Sequence, residues 1–240
     1  MTRYVVAYGD IHIEFELIRK DVKNINLNVK PSMEVVVSAN KEVPLDYIKR
    51  FVHRKGAWIS EQLRYFGRFA QPEKPAKEYV SGESFKYLGR QYRLKVYPAK
   101  ADSIRYYRGV MELYVKNPAN HKRKENLVHD WYADKSAVKF SEAVDRMYPL
   151  VKGLGVPEPE MKIRKMKTRW GTCLPDKGVI QLNADLIKAP MACIEYVALH
   201  ELLHFLHEKH DRNFFLDLSA LMPDWQERKR ILDEEVVRDL

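Results

Sequence analysis

The sequence predicts an α+β fold, with a β-rich domain carrying one helix over residues 1–120 and a second, more helical domain over residues 121–240. Three observations carry this reading. Apolar and polar residues alternate through residues 3–38, as in strands with one buried face. After Asn117-Pro118, apolar residues recur at intervals of three and four, the period of a helix packed on one side. A further helix is expected from about Pro190 to His207, and it holds His200-Glu201-Leu202-Leu203-His204, an HExxH pattern.

In chain order, Tyr4, Val6 and Tyr8, then Ile11, Ile13, Phe15 and Leu17, then Ile25, Leu27 and Val29, then Val35 to Val37 predict a sheet of hairpins, with turns at Gly9-Asp10 and Asp21 to Asn24. Ile48, Phe51, Val52, Trp58, Ile59, Leu63 and Phe66 have helical spacing with Gly56 as a weak point, and Gln71 to Lys77 reads as a Pro-rich linker. Short strands return around Tyr87-Leu88-Gly89, Tyr92 to Val96 and Met111 to Val115. Ala137, Phe140, Val144, Met147 and Val151 form a stripe to pack against the HExxH helix. Strands over Met161 to Thr168 and Val179 to Leu182 come between them, and because the second precedes the HExxH helix by a short loop, a sheet edge is expected to border the cleft.

Composition narrows the classes available. A chain of 240 residues with 45% hydrophobic residues can bury one large core or two modest ones. No apolar run reaches the roughly 18 residues that a membrane span needs. Met1 to Asp10 lacks a signal-peptide core, so the expected location is cytoplasmic. Cys173 and Cys193 form no CxxC and no disulfide framework, which agrees with a reducing compartment.

The HExxH segment carries the chemistry. At about 100° per residue, His200, His204 and Glu201 share one side of the helix, while Ala198, Leu199, Leu202, Leu203, Phe205 and Leu206 form an apolar arc on the other. Two imidazoles at that spacing can grip one metal ion, and the Glu between them can take a proton from an activated water. A third ligand is needed. On an unbroken helix His210 would stand roughly 15 Å up the axis from His200, so the chain must turn back after His207, with Asp211 capping a new helix that carries Phe214, Phe215, Leu218 and Leu221. His207 is a rival ligand, as is a carboxylate from Glu227, Glu234 or Glu235 in a polar C-terminal helix. Oxyanion donors could come from His207, Arg169 or Tyr196.

Arg169-Trp170-Gly171-Thr172-Cys173, Gly178 to Asn183, Leu186, Pro190, Tyr196 to His204, His210, Phe214-Phe215 and Pro223-Asp224-Trp225 together resemble the YgjP-like metallopeptidases, relatives of the WLM and SprT-like zinc peptidases. The likeness is sharp from about Lys167 to Trp225. Upstream, Gly82-Glu83 and Tyr87-Leu88-Gly89-Arg90 also fit, while Thr172 and Phe215 replace the common Ser and Trp. The resemblance implies a small zincin-like catalytic domain, Zn2+ on His200, His204 and His210, and Glu201 as the catalytic acid/base acting on peptide or protein substrates.

A net charge of +9 raises DNA as a partner. The densest basic clusters are Lys49-Arg50 with Arg54-Lys55, His121 to Lys124, and Lys162 to Arg169; in a strand, Lys165, Lys167 and Arg169 would share one face leading toward the metal. WLM and SprT-like relatives act on DNA-crosslinked proteins, so DNA-associated proteins are candidate substrates. The competing reading is a basic DNA-associated binding protein without peptidase activity, its zinc purely structural and closed by a fourth ligand such as Cys173.

Overall fold

Two compact units, Met1–Lys74 and Pro75–Leu240, make up the chain in a computed structural model that describes residues 2–30, 33–67, 77–166 and 169–233. The first unit opens with β1 (Thr2–Tyr8) and β2 (Ile11–Arg19), an antiparallel hairpin turned at Gly9, whose φ of 57° is one that glycine adopts readily. β3 (Asn26–Val29) and β4 (Val35–Ala39) follow, and the sheet order is β1-β2-β4-β3. The expected chain of hairpins is therefore interrupted, because β2 and β4 run parallel.

The single helix expected next is two, α1 (Leu45–Arg54) and α2 (Gly56–Gly67). Gly56 lies so close to the Tyr8 ring that a Cβ there would fall 2.2 Å from it. Ile48, Val52 and Ile59 drop from these helices onto Ile13, Phe15 and Val37 to form the core of this unit. The Pro31-Ser32 turn, the side chain of Phe66 and the linker from Gln71 to Ala76 lie outside the described residues.

The second unit begins with β5 (Ser84–Tyr87), β6 (Arg90–Pro98), β7 (Ser103–Tyr107) and β8 (Val110–Val115) in the order β5-β6-β8-β7. β7 is largely exposed, so no buried alternation announces it in the sequence. α3 (His121–Lys152) follows, capped by the Asn120 side chain, which accepts the Arg123 N–H. Phe140, Val144 and Val151 are buried as expected, but Ala137 is exposed, its place on the stripe taken by Ser136.

The boundary inferred near residue 120 falls in the wrong place, since β5–β8 belong to the unit that holds the HExxH segment. Leu94, Met111, Leu113 and Val115 share one buried cluster with Val128, Trp131, Leu199 and Leu202. A shift in local composition marked where strands give way to helices, whereas the packing continues across it.

The site rests on the remaining elements. β9 (Glu160–Arg164), β10 (Gly171–Leu174) and β11 (Val179–Asn183) form a sheet ordered β10-β11-β9, with β9 parallel and β10 antiparallel to β11. α4 (Met191–Leu203), α5 (Arg212–Leu221) and α6 (Trp225–Ile231) complete it. The strand expected through Thr168 ends at Arg164, so Lys165 and Arg169 share no strand face; Lys167 and Thr168 lie outside the described residues. Among the described residues, no helix is long and apolar enough to cross a membrane.

Candidate metal centre and active site

The start of α4 is pinned by the β5–β6 turn. Leu88 N–H donates to Ile187 O at 3.0 Å and Gly89 N–H to Lys188 O at 2.9 Å. Gly89, at φ 75°, approaches Pro190 so closely that a Cβ would meet its ring at 2.6 Å. Pro190 precedes α4, where a missing N–H costs nothing. Ala198, Leu199, Leu202 and Leu203 are buried, so the helix is locked in rotation about its axis.

α4 ends at Leu203, a turn earlier than the apolar pattern suggested, and Leu206 is consequently 37% exposed. The early end begins the reversal that the third ligand requires. Asp211 caps α5 by accepting the N–H groups of Asn213 and Phe214, both at 3.0 Å. Between the helices, His210 swings back: its Nε2 lies 2.8 Å from His200 Nε2 and 3.1 Å from His204 Nε2.

Three imidazole nitrogens converging on one point can hold a metal ion. Two further observations fit that role. His204 Nδ1 lies 2.9 Å from the His207 carbonyl, which only accepts, so Nδ1 carries the proton and Nε2 is left with its lone pair. Beneath the three rings lies Phe214, fully buried, with centroid distances of 4.9, 5.0 and 4.8 Å to His200, His204 and His210. His200 Nδ1 is buried without a hydrogen-bond partner among the described residues, so ring packing from Phe214 and Tyr196 orients this imidazole. Burial, reinforced by His204 and His210, pulls its pKa down to about 3, which keeps it in the neutral form that a metal needs.

The rivals for third ligand point elsewhere. His207 Nε2 is 2.6 Å from Asp217 Oδ2, and Glu227 is engaged by Arg230 at 2.7 Å. Glu234 and Glu235 lie outside the described residues. Among the described residues the donor cluster consists of the three histidines, and Cys173 is not part of it.

Glu201 stands beside this cluster, 5% exposed. Burial pushes its pKa up to about 8 against the opposing pull of the Arg169 guanidinium and a hydrogen bond from the Cys173 N–H. A carboxyl poised near neutrality can accept a proton and return it. Its space is made by Gly171, where a Cβ would fall 2.5 Å from Glu201 Oε1. Gly171 is in turn held by Asn183, whose buried amide donates to Met166 O and Arg169 O, both at 2.9 Å, while Asn183 N–H donates to Trp170 O at 2.8 Å. The motif around Arg169 to Cys173 thus forms the wall that places the carboxylate.

The cleft has a volume of about 510 Å³, with Arg169, Tyr196 and Lys229 on its walls. The sheet edge that lines it is β10, with β11 central in its sheet. Sequence reasoning passed over Phe214 as a floor, Gly171 and Asn183 as supports, and Lys229, which pairs with Asp233 at the rim. The first three stand inside the quoted motifs, and a glycine or a buried amide there was the available signal.

Three histidines from a helix, a turn and a returning loop could hold one metal ion, with a buried glutamate beside them. The chain belongs to the YgjP-like family, whose metallopeptidase domain matches residues 23–235. It is accordingly a metallopeptidase, a hydrolase of peptide or protein substrates whose family implies a divalent metal. No curated protein matches the chain. Among solved structures it is similar to the metallopeptidase zymogen of Pyrococcus abyssi abylysin, at 20% identity over 40% of this chain and 94% of that one, with a TM-score of 0.35.

Proposed function

We propose that this chain is a zinc-dependent peptidase in which His200, His204 and His210 hold the metal and Glu201 is the general base and acid. The observation that carries the reading is the convergence of three imidazole Nε2 atoms beside a buried carboxylate. Three imidazole nitrogens suit zinc and leave a coordination position open, unlike the four protein ligands of a closed structural site. Bound there, zinc would lower the pKa of a water to about 7 and polarise the scissile carbonyl.

The chain's own residues do the rest. Glu201 takes the proton of the attacking water and delivers it to the leaving amine. Its rigid seat between Gly171 and the Cys173 amide keeps the carboxylate aimed without reorganisation. An extended substrate lies along β10, pairing through its backbone at that open edge. Arg169 and Tyr196 line the cleft and are the candidate oxyanion donors, while His207 is withdrawn by Asp217.

The test is metal analysis joined to peptide hydrolysis. Purified protein should hold about one zinc per chain, and His200→Ala, His204→Ala and His210→Ala should each lose metal and activity together. Full zinc retention by His210→Ala, with loss in a Glu227, Glu234 or Glu235 variant, would transfer the third position to a carboxylate. Loss of zinc in Cys173→Ser would favour the structural-site reading.

A further inference from the structure

The three basic clusters of the sequence have different fates. In the second, His121 Nε2 meets Lys77 O at 3.0 Å, Lys122 pairs with Glu125 at 2.7 Å, Arg123 pairs with Asp102 at 2.8 Å, and Lys124 is 5% exposed. In the third, Lys162 pairs with Glu160 at 3.0 Å and Arg169 acts on Glu201. Most of the charge in the second is therefore spoken for by local partners, whereas among the described residues Arg164 and Lys165 of the third are exposed, have no ion pair and line no pocket with an aromatic ring.

The first cluster, on α1, is arranged otherwise. Arg50, His53 and Arg54 are exposed and have no carboxylate within ion-pair distance among the described residues. With Tyr47, which is 47% exposed, they line a groove of about 380 Å³. Tyr47, Arg50 and Arg54 stand at i, i+3 and i+7, one stripe of the helix, and the two arginines are about 6 Å apart along its axis. The His53 ring is braced edge-on by Tyr8 at 5.5 Å, and Gly56 leaves room for the Tyr8 ring.

We propose that this face of α1 binds single-stranded nucleic acid, its arginines on successive phosphates and Tyr47 stacked on a base. Guanidinium forks match phosphate oxygens bidentately. Interleaved cations and an exposed ring are what a single strand uses, whereas an acidic peptide would engage the cations and leave the ring idle. A chain net charge of +9 draws a polyanion from a distance.

Fluorescence anisotropy on the full chain, with labelled oligo-dT and oligo-rU as probes, tests this without reference to the metal centre. Affinity should fall linearly with salt on logarithmic axes between about 50 and 200 mM. Replacing Arg50 and Arg54 together by Gln should reduce the magnitude of that slope by about 1.4, at about 0.7 for each phosphate contact in a single strand. Tyr47→Ala should weaken binding about tenfold at every salt concentration. All these positions are exposed, so thermal melting should match wild type, and binding of either probe supports the proposal while their ratio separates DNA from RNA. No binding at the lowest salt, an unchanged slope in the double variant, or displacement of the probe by equimolar poly-glutamate would overturn it.

Discussion

His207 Nε2 and Asp217 Oδ2 are joined at 2.6 Å, and the carbonyl of the same His207 receives the Nδ1 proton of His204 2.9 Å away. A side chain from α5 thus steadies the residue that sets the tautomer of one of the three clustered histidines. Second-layer partners of this kind are worth about ten- to a hundredfold in metal affinity.

Asp217→Ala should therefore bind zinc about tenfold more weakly than wild type in competition with a chelator. Circular dichroism should show the fold intact, because the Asp217 side chain is 43% exposed. Unchanged affinity would mean that the carbonyl of His207 is held by the turn alone.

Gly171→Ala separates metal binding from chemistry. The nearest atoms to a methyl group here all belong to the Glu201 side chain, so zinc content should persist while turnover falls by about a hundredfold or more. Wild-type turnover in this variant would show that Glu201 can move without consequence.

Phe214→Ala should strike both stability and metal. Truncating a fully buried phenylalanine costs about 3–5 kcal/mol, and the loss here opens a cavity under all three rings. Denaturant melts should show that loss, and chelator competition a parallel fall in zinc affinity; Phe214→Leu should recover most of both. Normal zinc affinity in a destabilised Phe214→Ala protein would reduce the ring to a core residue.

Cys173 gives a pH-dependent prediction. Burial, with a smaller push from Glu201, raises its thiol pKa to about 12. The reactive thiolate is scarce well below that value, so alkylation should stay slow as pH rises from 7 to 9.5, through the range where a free cysteine, with pKa about 8.5, becomes reactive. Mass spectrometry of iodoacetamide-treated folded protein checks this, and rapid modification at pH 8.5 would contradict it.

Much of the site is local and was therefore legible. HExxH sets His200, Glu201 and His204 by helical period, and the need for a chain reversal identified both Asp211 as a cap and His210 as the returning residue. Parallel pairings such as β2 with β4 and β6 with β8 were hidden, because each skips an intervening strand and leaves no mark in local alternation. The same blindness misplaced the domain boundary, since burial of β6 and β8 against α3 depends on contacts that composition does not encode. Asn183 acts through hydrogen bonds to two backbone carbonyls and Gly171 through a close approach to a carboxylate, which only the folded arrangement reveals.

The most direct measurement compares zinc-loaded wild type with Glu201→Gln for peptide hydrolysis, with metal content determined on the same samples. The substitution keeps shape and removes the proton acceptor, so equal zinc and an equal melting temperature should accompany a fall in turnover of at least about a hundredfold. Equal turnover at equal zinc content would contradict the assignment of Glu201 as the base.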